Sequence, residues 1–165
     1  MDTFECMKTK FDVREFSQRD VTYDIKLKII EGARLSGTGL NTQHWRFIVV
    51  QNKDNLRRLA EDSTSGSWVV GANFAVIVLT NPKYSYHLID AGRALQNMQL
   101  AAWNEGVASG IFTGIRQEKL RNDFGVPDDL LATVIIGFGY TARNLSQMRK
   151  NRMPVDKLVY YERYT

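Results

Sequence analysis

The sequence predicts an α+β domain, a small sheet flanked by helices. Three observations predict it. Short apolar runs, Phe74-Ala-Val-Ile-Val-Leu79 and Leu130-Leu-Ala-Thr-Val-Ile-Ile-Gly-Phe138, have the length and composition of strands. Between and around them lie longer stretches with apolar side chains at helical spacing, above all Leu88 to Glu105. Glycines and prolines then fall where these stretches should stop, at Gly37, Pro82, Gly106, Gly125 and Pro127.

Composition sets the outer bounds. At 165 residues, 44% hydrophobic and 24% charged, the chain is expected to be one domain able to bury a core. Its 22 Lys and Arg against 18 Asp and Glu give a net charge of +4. That excess suits an anionic small ligand such as a phosphate. A nucleic-acid face would rest on the excess alone, because the basic residues form no dense run. The densest group is Arg143, Arg149, Lys150 and Arg152. The single Cys6 excludes an internal disulfide and a multi-cysteine metal site. No metal is expected, since His44 and His87 lie far apart and lack a carboxylate at helical ligand spacing. Met1 to Glu5 is acidic and carries no apolar segment, so no signal peptide is read and the cytoplasm is the expected compartment. No apolar run approaches the length of a membrane span.

Taken in order, residues 2–9 predict a short helix with Phe4 and Met7 inward. Lys10 to Phe16 then alternates, with Lys10, Asp12 and Arg14 on one side of an extended segment and Phe11 and Val13 on the other. It is either a solvated edge or, through its two cations, a site for an anion or a carbonyl oxygen. A helix begins at Thr22, with Asp24 in its first turn and Ile25, Leu27, Ile29, Ile30 and Ala33 as its apolar face. It stops at Ser36-Gly37. The stretch to Phe47 is small and polar. Gly37, Gly39 and Asn41 let it turn, Asn41 and Gln43 offer amides, and Trp45 offers a flat surface. It reads equally as a plain helix-to-strand connection or as a ligand loop.

Trp45 to Val50 predicts a buried strand, and Asp54 to about Glu61 a helix with Leu56, Leu59 and Ala60 inward. After a polar break at Ser63–Ser67, the strand Phe74–Leu79 is apolar throughout, which implies cover on both sheet faces. The long helix should bury Leu88, Ala91, Ala94, Leu95, Met98, Ala101 and Ala102, with Gly106 as its left-handed stop. A strand from Val107 ends in small residues at Thr113-Gly114, a helix runs from Arg116 to about Phe124, and Leu130–Phe138 is the last strand. The tail from Thr141 is polar and basic, then gains strand character from Val155 to Tyr161. Such a tail needs a surface to pack on, either a second subunit or a local sheet edge.

Neither a dinucleotide fingerprint, a phosphate loop nor a nucleophile elbow is present, and no acid–base pair stands out. A chain with ligand-type loops and no catalytic side chains points to a cofactor that carries the chemistry.

Four stretches then fall in a telling order. They are Lys10-Phe-Asp12-Val-Arg14-Glu-Phe16, Asn41-Thr-Gln43-His44-Trp45-Arg-Phe47, Asp90-Ala-Gly92 through Gln96-Asn97 with Gly106 to Gly114, and Arg149-Lys150-Asn-Arg152-Met-Pro154. From about Lys10 to Pro154 this order resembles the nitroreductase family of flavin mononucleotide (FMN) enzymes. The resemblance implies a central, mainly antiparallel sheet flanked by helices in an intertwined homodimer. It implies a single domain over residues 1–165, with 141–165 as a tail packed on the partner subunit. FMN would lie at the dimer interface. Lys10, Lys150 and Arg152 would meet its phosphate, and Arg14 the polar edge of its ring. Phe11 and Asp12 belong to the same strap. Ser36, Gly37, Thr38 and Asn41 would come from the partner subunit, and a backbone N–H at Thr113-Gly114 would face flavin N5.

Asp12 stands where the family has Ser, and an acid near a phosphate needs a base beside it. His44 stands where the family has Pro. No basic residue precedes the second strand, where Trp68 would either wall the pocket or join the core. Gln96 and Asn97 would fasten helix to helix or touch ligand. The short connection after Leu79 implies a plain, open pocket. The implied activity is hydride transfer from NADH or NADPH through the flavin to a nitroaromatic, a quinone or a similar electron-poor acceptor. The alternative is a flavin-binding storage or sensor module with little turnover.

Overall fold

Alternation along one strand organises the molecule. Every residue of β2 (Phe74–Thr80) is buried, and successive side chains point to opposite faces. Phe74, Val76 and Val78 join a core containing Ile29, Ala33, Ala94 and Met98. Ala75, Ile77 and Leu79 join another containing Leu56, Leu59 and Leu120. Both faces are therefore covered, as the uninterrupted apolar run requires. The computed structural model describes residues 1–141, 143–145 and 148–164.

β1 (Arg46–Val50) and β4 (Leu131–Gly139) flank β2, and β3 (Ala108–Phe112) completes the order β1-β2-β4-β3, antiparallel at every step. The register shifts after Val78, which leaves Thr133 without a partner across the ladder. Its hydroxyl instead donates to the Val78 carbonyl at 3.0 Å and meets Thr80 Oγ1 at 3.1 Å. Helices α2 (Tyr23–Arg34) and α4 (His87–Asn104) pack together over the first face, and α1 (Thr3–Thr9) lies against α4. Helices α3 (Lys53–Glu61) and α5 (Gln117–Phe124) supply Leu56, Leu59 and Leu120 to the second face. Burying each such leucine contributes about 1.5–3 kcal/mol.

The helix ends follow local chemistry. Asp2 Oδ1 accepts from the Glu5 N–H, and Asn52 Oδ1 from the N–H groups of Asp54 and Asn55. Gly106 and Gly125 take the left-handed stop positions, at φ 74° and 64°. Thr22 occupies the cap position of α2 without a side-chain hydrogen bond.

Several expectations are corrected. α1 turns Cys6 inward, while Phe4 is 72% exposed and Met7 is exposed as well. A helix of two turns on the surface buries one narrow line of residues, and here that line passes through Cys6. Leu27 and Leu88 lie on the flanks of their helices and are exposed. β1 is an edge strand, with Val50 buried and Val49 exposed, because only β2 pairs with it. Among the described tail residues there is no strand, only one turn at Val155–Lys157. Strand propensity without a ladder to join does not make a strand.

Candidate functional site

Lys10 caps α1, and from it the chain runs extended along β3. Asp12 bridges Ser109 in parallel, and the Val13 N–H donates to the Ser109 carbonyl at 2.8 Å. Gly110 makes this close approach possible, since a Cβ there would collide with the Val13 carbonyl oxygen. The expected alternation holds: Val13 is buried and Phe11 half-buried, while Asp12 and Arg14 are exposed.

The acid in this strap has its base. Lys10 Nζ lies 2.6 Å from Asp12 Oδ1, which also accepts from Gln99 Nε2 at 3.0 Å. Gln99, buried on α4, donates to Ser109 Oγ as well, at 3.1 Å. Lys150 reaches the same neighbourhood from the tail. Its ammonium donates to the Met7 carbonyl and lies 5.7 Å from the centre of the Phe11 ring. Burial lowers its pKa, and the charges of Arg152 and Lys10 lower it further, while Asp12 acts in the opposite sense. Lys150 thus carries its charge beside the Lys10–Asp12 pair, with the charges of Lys10 and Arg152 acting on it. A phosphate dianion has the sign and hydrogen-bonding type to meet such cations. Next to it, a cleft of about 600 Å³ opens between α1, Trp103 and the tail, lined by Thr9, Phe11, Met148 and Lys150.

Arg14 lies 5.9 Å from the centre of the Trp68 ring. Trp68 packs between Phe16 and Phe112 and over Gly110 and Gly137, so it is a core residue and a platform for Arg14 together. Its indole N–H is buried and has no hydrogen-bond partner among the described residues. Beyond the end of β3, the Thr113–Arg116 segment is laced to residues 62–64. The Thr64 N–H donates to the Gly114 carbonyl at 2.8 Å, Ser63 bridges Ile115, and the Arg116 N–H donates to the Asp62 carbonyl. Asp62 anchors this lacing from within. Burial raises its carboxyl pKa, against the pull of Lys119 at 2.5 Å.

Ser36, Gly37, Thr38 and Asn41 gather elsewhere, on the N-terminal half of α4. Asn97 Nδ2 donates to Ser36 Oγ at 2.7 Å, which ties α4 to the turn that leaves α2. Gly37 leaves room for Arg93, whose Nη2 would sit 2.7 Å from an added Cβ. Thr38 Oγ1 accepts from the Gln43 N–H. The Gly39 N–H donates to both carboxylate oxygens of Asp90, at 3.0 and 3.2 Å, and Asp90 Oδ2 lies 3.1 Å from His44 Nε2. Gly37, Gly39 and Asn41 were expected to turn this loop. Asn41 does so, at φ 54°, but the other positive φ angles belong to Leu40 and Gln43, at 51° and 45°, and not to the glycines.

The predicted site residues therefore occupy three places in one chain. Lys10, Phe11, Asp12 and Arg14 lie in the strap with Lys150 beside it and Arg152 two residues further along the tail, Thr113 and Gly114 follow β3, and the Ser36–Asn41 group meets α4 from Asp90 to Asn97. Asp90 and Gln99, contacts of the outer two groups, are nine residues apart on α4, about 13 Å along its axis. The sequence reading missed the pairing of Asp90 with His44 and the part played by Gln99. Each is a polar residue on a buried helix face, with Asp90 in line with Ala94, Met98 and Ala102, and that interruption was the available signal. Among the described residues no helix is long and apolar enough to cross a membrane.

Known proteins resemble this chain over most of its length. The sequence model of the Nitroreductase family matches residues 7–80 and 64–140. A protein of Archaeoglobus fulgidus, provisionally named NADH dehydrogenase/NAD(P)H nitroreductase, is 30% identical over 149 residues, which cover 82% of this chain and 85% of its own. A Bacteroides thetaiotaomicron structure with the same provisional name has a TM-score of 0.90 at 22% identity, covering 98% of each chain. The structure of an FMN-dependent nitroreductase from Clostridium difficile has a TM-score of 0.87 at 22% identity, covering 98% of this chain and 99% of its own.

Proposed function

The chain belongs to the Nitroreductase family, and from that premise we propose that it is an FMN-dependent NAD(P)H oxidoreductase acting on nitroaromatics, quinones or similar electron-poor acceptors. The observation that carries this reading is the approach of Lys150 from the tail to the Lys10–Asp12 pair of the strap, with its ammonium on the Met7 carbonyl and near the Phe11 ring. The names of the Archaeoglobus and Clostridium proteins point the same way. Bound, the flavin supplies two-electron chemistry, taking hydride from NADH or NADPH and giving it to the acceptor.

The chain's own residues bind and orient. Lys10, Lys150 and Arg152 hold the phosphate through charge-assisted hydrogen bonds. Asp12 keeps Lys10 in place, and Phe11 lies beneath Lys150. Arg14, steadied on Trp68, meets the polar edge of the ring. Thr113 and Gly114, laced to residues 62–64, offer a fixed backbone donor toward the reacting edge. Ser36, Gly37, Thr38 and Asn41 serve the site of a second copy, so the working unit is a homodimer whose tails, residues 141–165, pack across the pair.

The test is the visible absorption spectrum of the purified protein, followed by steady-state oxidation of NADH and NADPH with a quinone or nitroaromatic. A flavin band released as FMN on denaturation, and turnover with an acceptor, are expected. Failure to bind FMN on reconstitution overturns the reading. Binding without turnover by any acceptor leaves a storage or sensor module in its place.

A further inference from the structure

We infer that His44 and Asp90 are positioning residues, a buried pair that holds the strained Leu40–Gln43 turn in the shape in which it meets the flavin ring. The inference rests on the flavin reading above and goes beyond it, since His44 occupies one of the positions at which the chain departs from the family pattern.

Both side chains are almost wholly buried, with His44 at 3% and Asp90 at 2% exposure. A buried carboxylate is costly unless it is paired and hydrogen-bonded. Asp90 receives the Gly39 N–H on both oxygens and His44 Nε2 on one, with Arg93 Nη1 at 3.7 Å. It also lies in the first turn of α4, where the helix dipole favours negative charge. The other edge of the imidazole fixes its tautomer. The Asn81 N–H lies 3.3 Å from His44 Nδ1 and can only donate, so Nδ1 accepts and Nε2 carries the proton given to Asp90. Tyr84 packs on the ring, with centroids 4.9 Å apart.

The two ends of one turn are thereby tied to a single carboxylate, Gly39 at the front and His44 at the back. Between them Leu40, Asn41 and Gln43 all take left-handed backbone, which non-glycine residues keep only where the surroundings enforce it. Tyr86 closes the space beside Gly39, with its ring 2.5 Å from where a Cβ would stand. What the turn presents is outward: Leu40 is 92% exposed, and Asn41 and Gln43 are exposed too. Strain held by buried polar contacts beneath an exposed turn is the mark of a presented surface rather than of a mere connection.

The test is fluorescence titration of FMN and of riboflavin with wild type, Asp90→Asn, His44→Ala and His44→Gln, each checked for folding by circular dichroism. Asn at position 90 cannot accept from His44 Nε2–H on its amide nitrogen, whereas Gln at position 44 still has an N–H for Asp90. Asp90→Asn and His44→Ala are expected to weaken both ligands alike, by ten-fold or more, and His44→Gln to recover most of the loss. A phosphate-site variant weakens FMN alone, so equal loss of riboflavin marks the ring contact. Folded variants with wild-type affinity for both ligands overturn this inference alone, and wild type that binds neither flavin overturns the flavin reading with it. Should the variants not fold, ¹⁵N-histidine spectra of the wild type decide, with the Nε2–H tautomer of His44 expected and the Nδ1–H tautomer fatal.

Discussion

Lys150 holds its proton less firmly than an ordinary lysine, because burial and the neighbouring charges of Arg152 and Lys10 disfavour its charged form. A bound phosphate dianion favours that form, so the pKa in the complex lies above that of the free protein. Anion affinity is therefore full below the free-state pKa and falls as pH rises through it, beginning below the ordinary lysine value of 10.5. On the acid side it falls again below about pH 6, where a phosphate monoester gains its second proton. FMN titrations across pH are expected to trace this plateau, and riboflavin should lack both limbs. Replacing Lys150 and Arg152 together by Ala should weaken FMN by more than about ten-fold and leave riboflavin unchanged, since each contact contributes roughly 1.5–3 kcal/mol. Equal affinities for FMN in the variant and wild type would remove the tail from the site. These cations were legible in the sequence because their charge belongs to residue identity. The partnership of Asp90 with His44 was not, because their separation of 46 positions is closed only by the path of the folded chain.

Among the elements, the strap from Lys10 to Phe16 depends most on a single residue outside it. Gly110→Ala would set a Cβ against the Val13 carbonyl oxygen, a backbone atom with no rotamer to escape into. The expected outcome is a lifted strap: faster hydrogen exchange at the Val13 amide and an FMN affinity lowered roughly as far as loss of the Lys10 contact would lower it. Unchanged protection of that amide would contradict the account. The elements whose pattern lies within their own segment were readable in advance. β2 and β4 announced themselves by apolar runs, and α3 and α4 by spacing and stop signals. The exposure of β1 and the absence of a strand among the described tail residues depend on which strands lie alongside, and a segment's own residues do not carry that information.

For the whole molecule, apolar side chains lie open at several places among the described residues: Phe4 and Met7 on α1, Leu27 on α2, Leu40 in the loop, Leu88 and Ile89 on α4, and Val155, Leu158, Tyr160 and Tyr161 in the tail. Apolar surface of this extent suits an interface. Sedimentation equilibrium should give about twice the chain mass of 18.9 kDa, with one FMN per chain. A monomer that binds FMN fully would refute the shared site. The sheet's order and its strap also govern the timing of assembly. Asp12 meets Ser109, the Ser17 N–H meets the Tyr140 carbonyl, and Lys150 meets Met7. Contacts so distant in sequence form late and slow folding. A chain emerging from the ribosome can build α2 and α3 early, but its N-terminal strap has no strand to rest on until β3 has followed. Lys150 arrives later still, so its contact with Met7, which ties the tail to α1, closes after the strap has found β3.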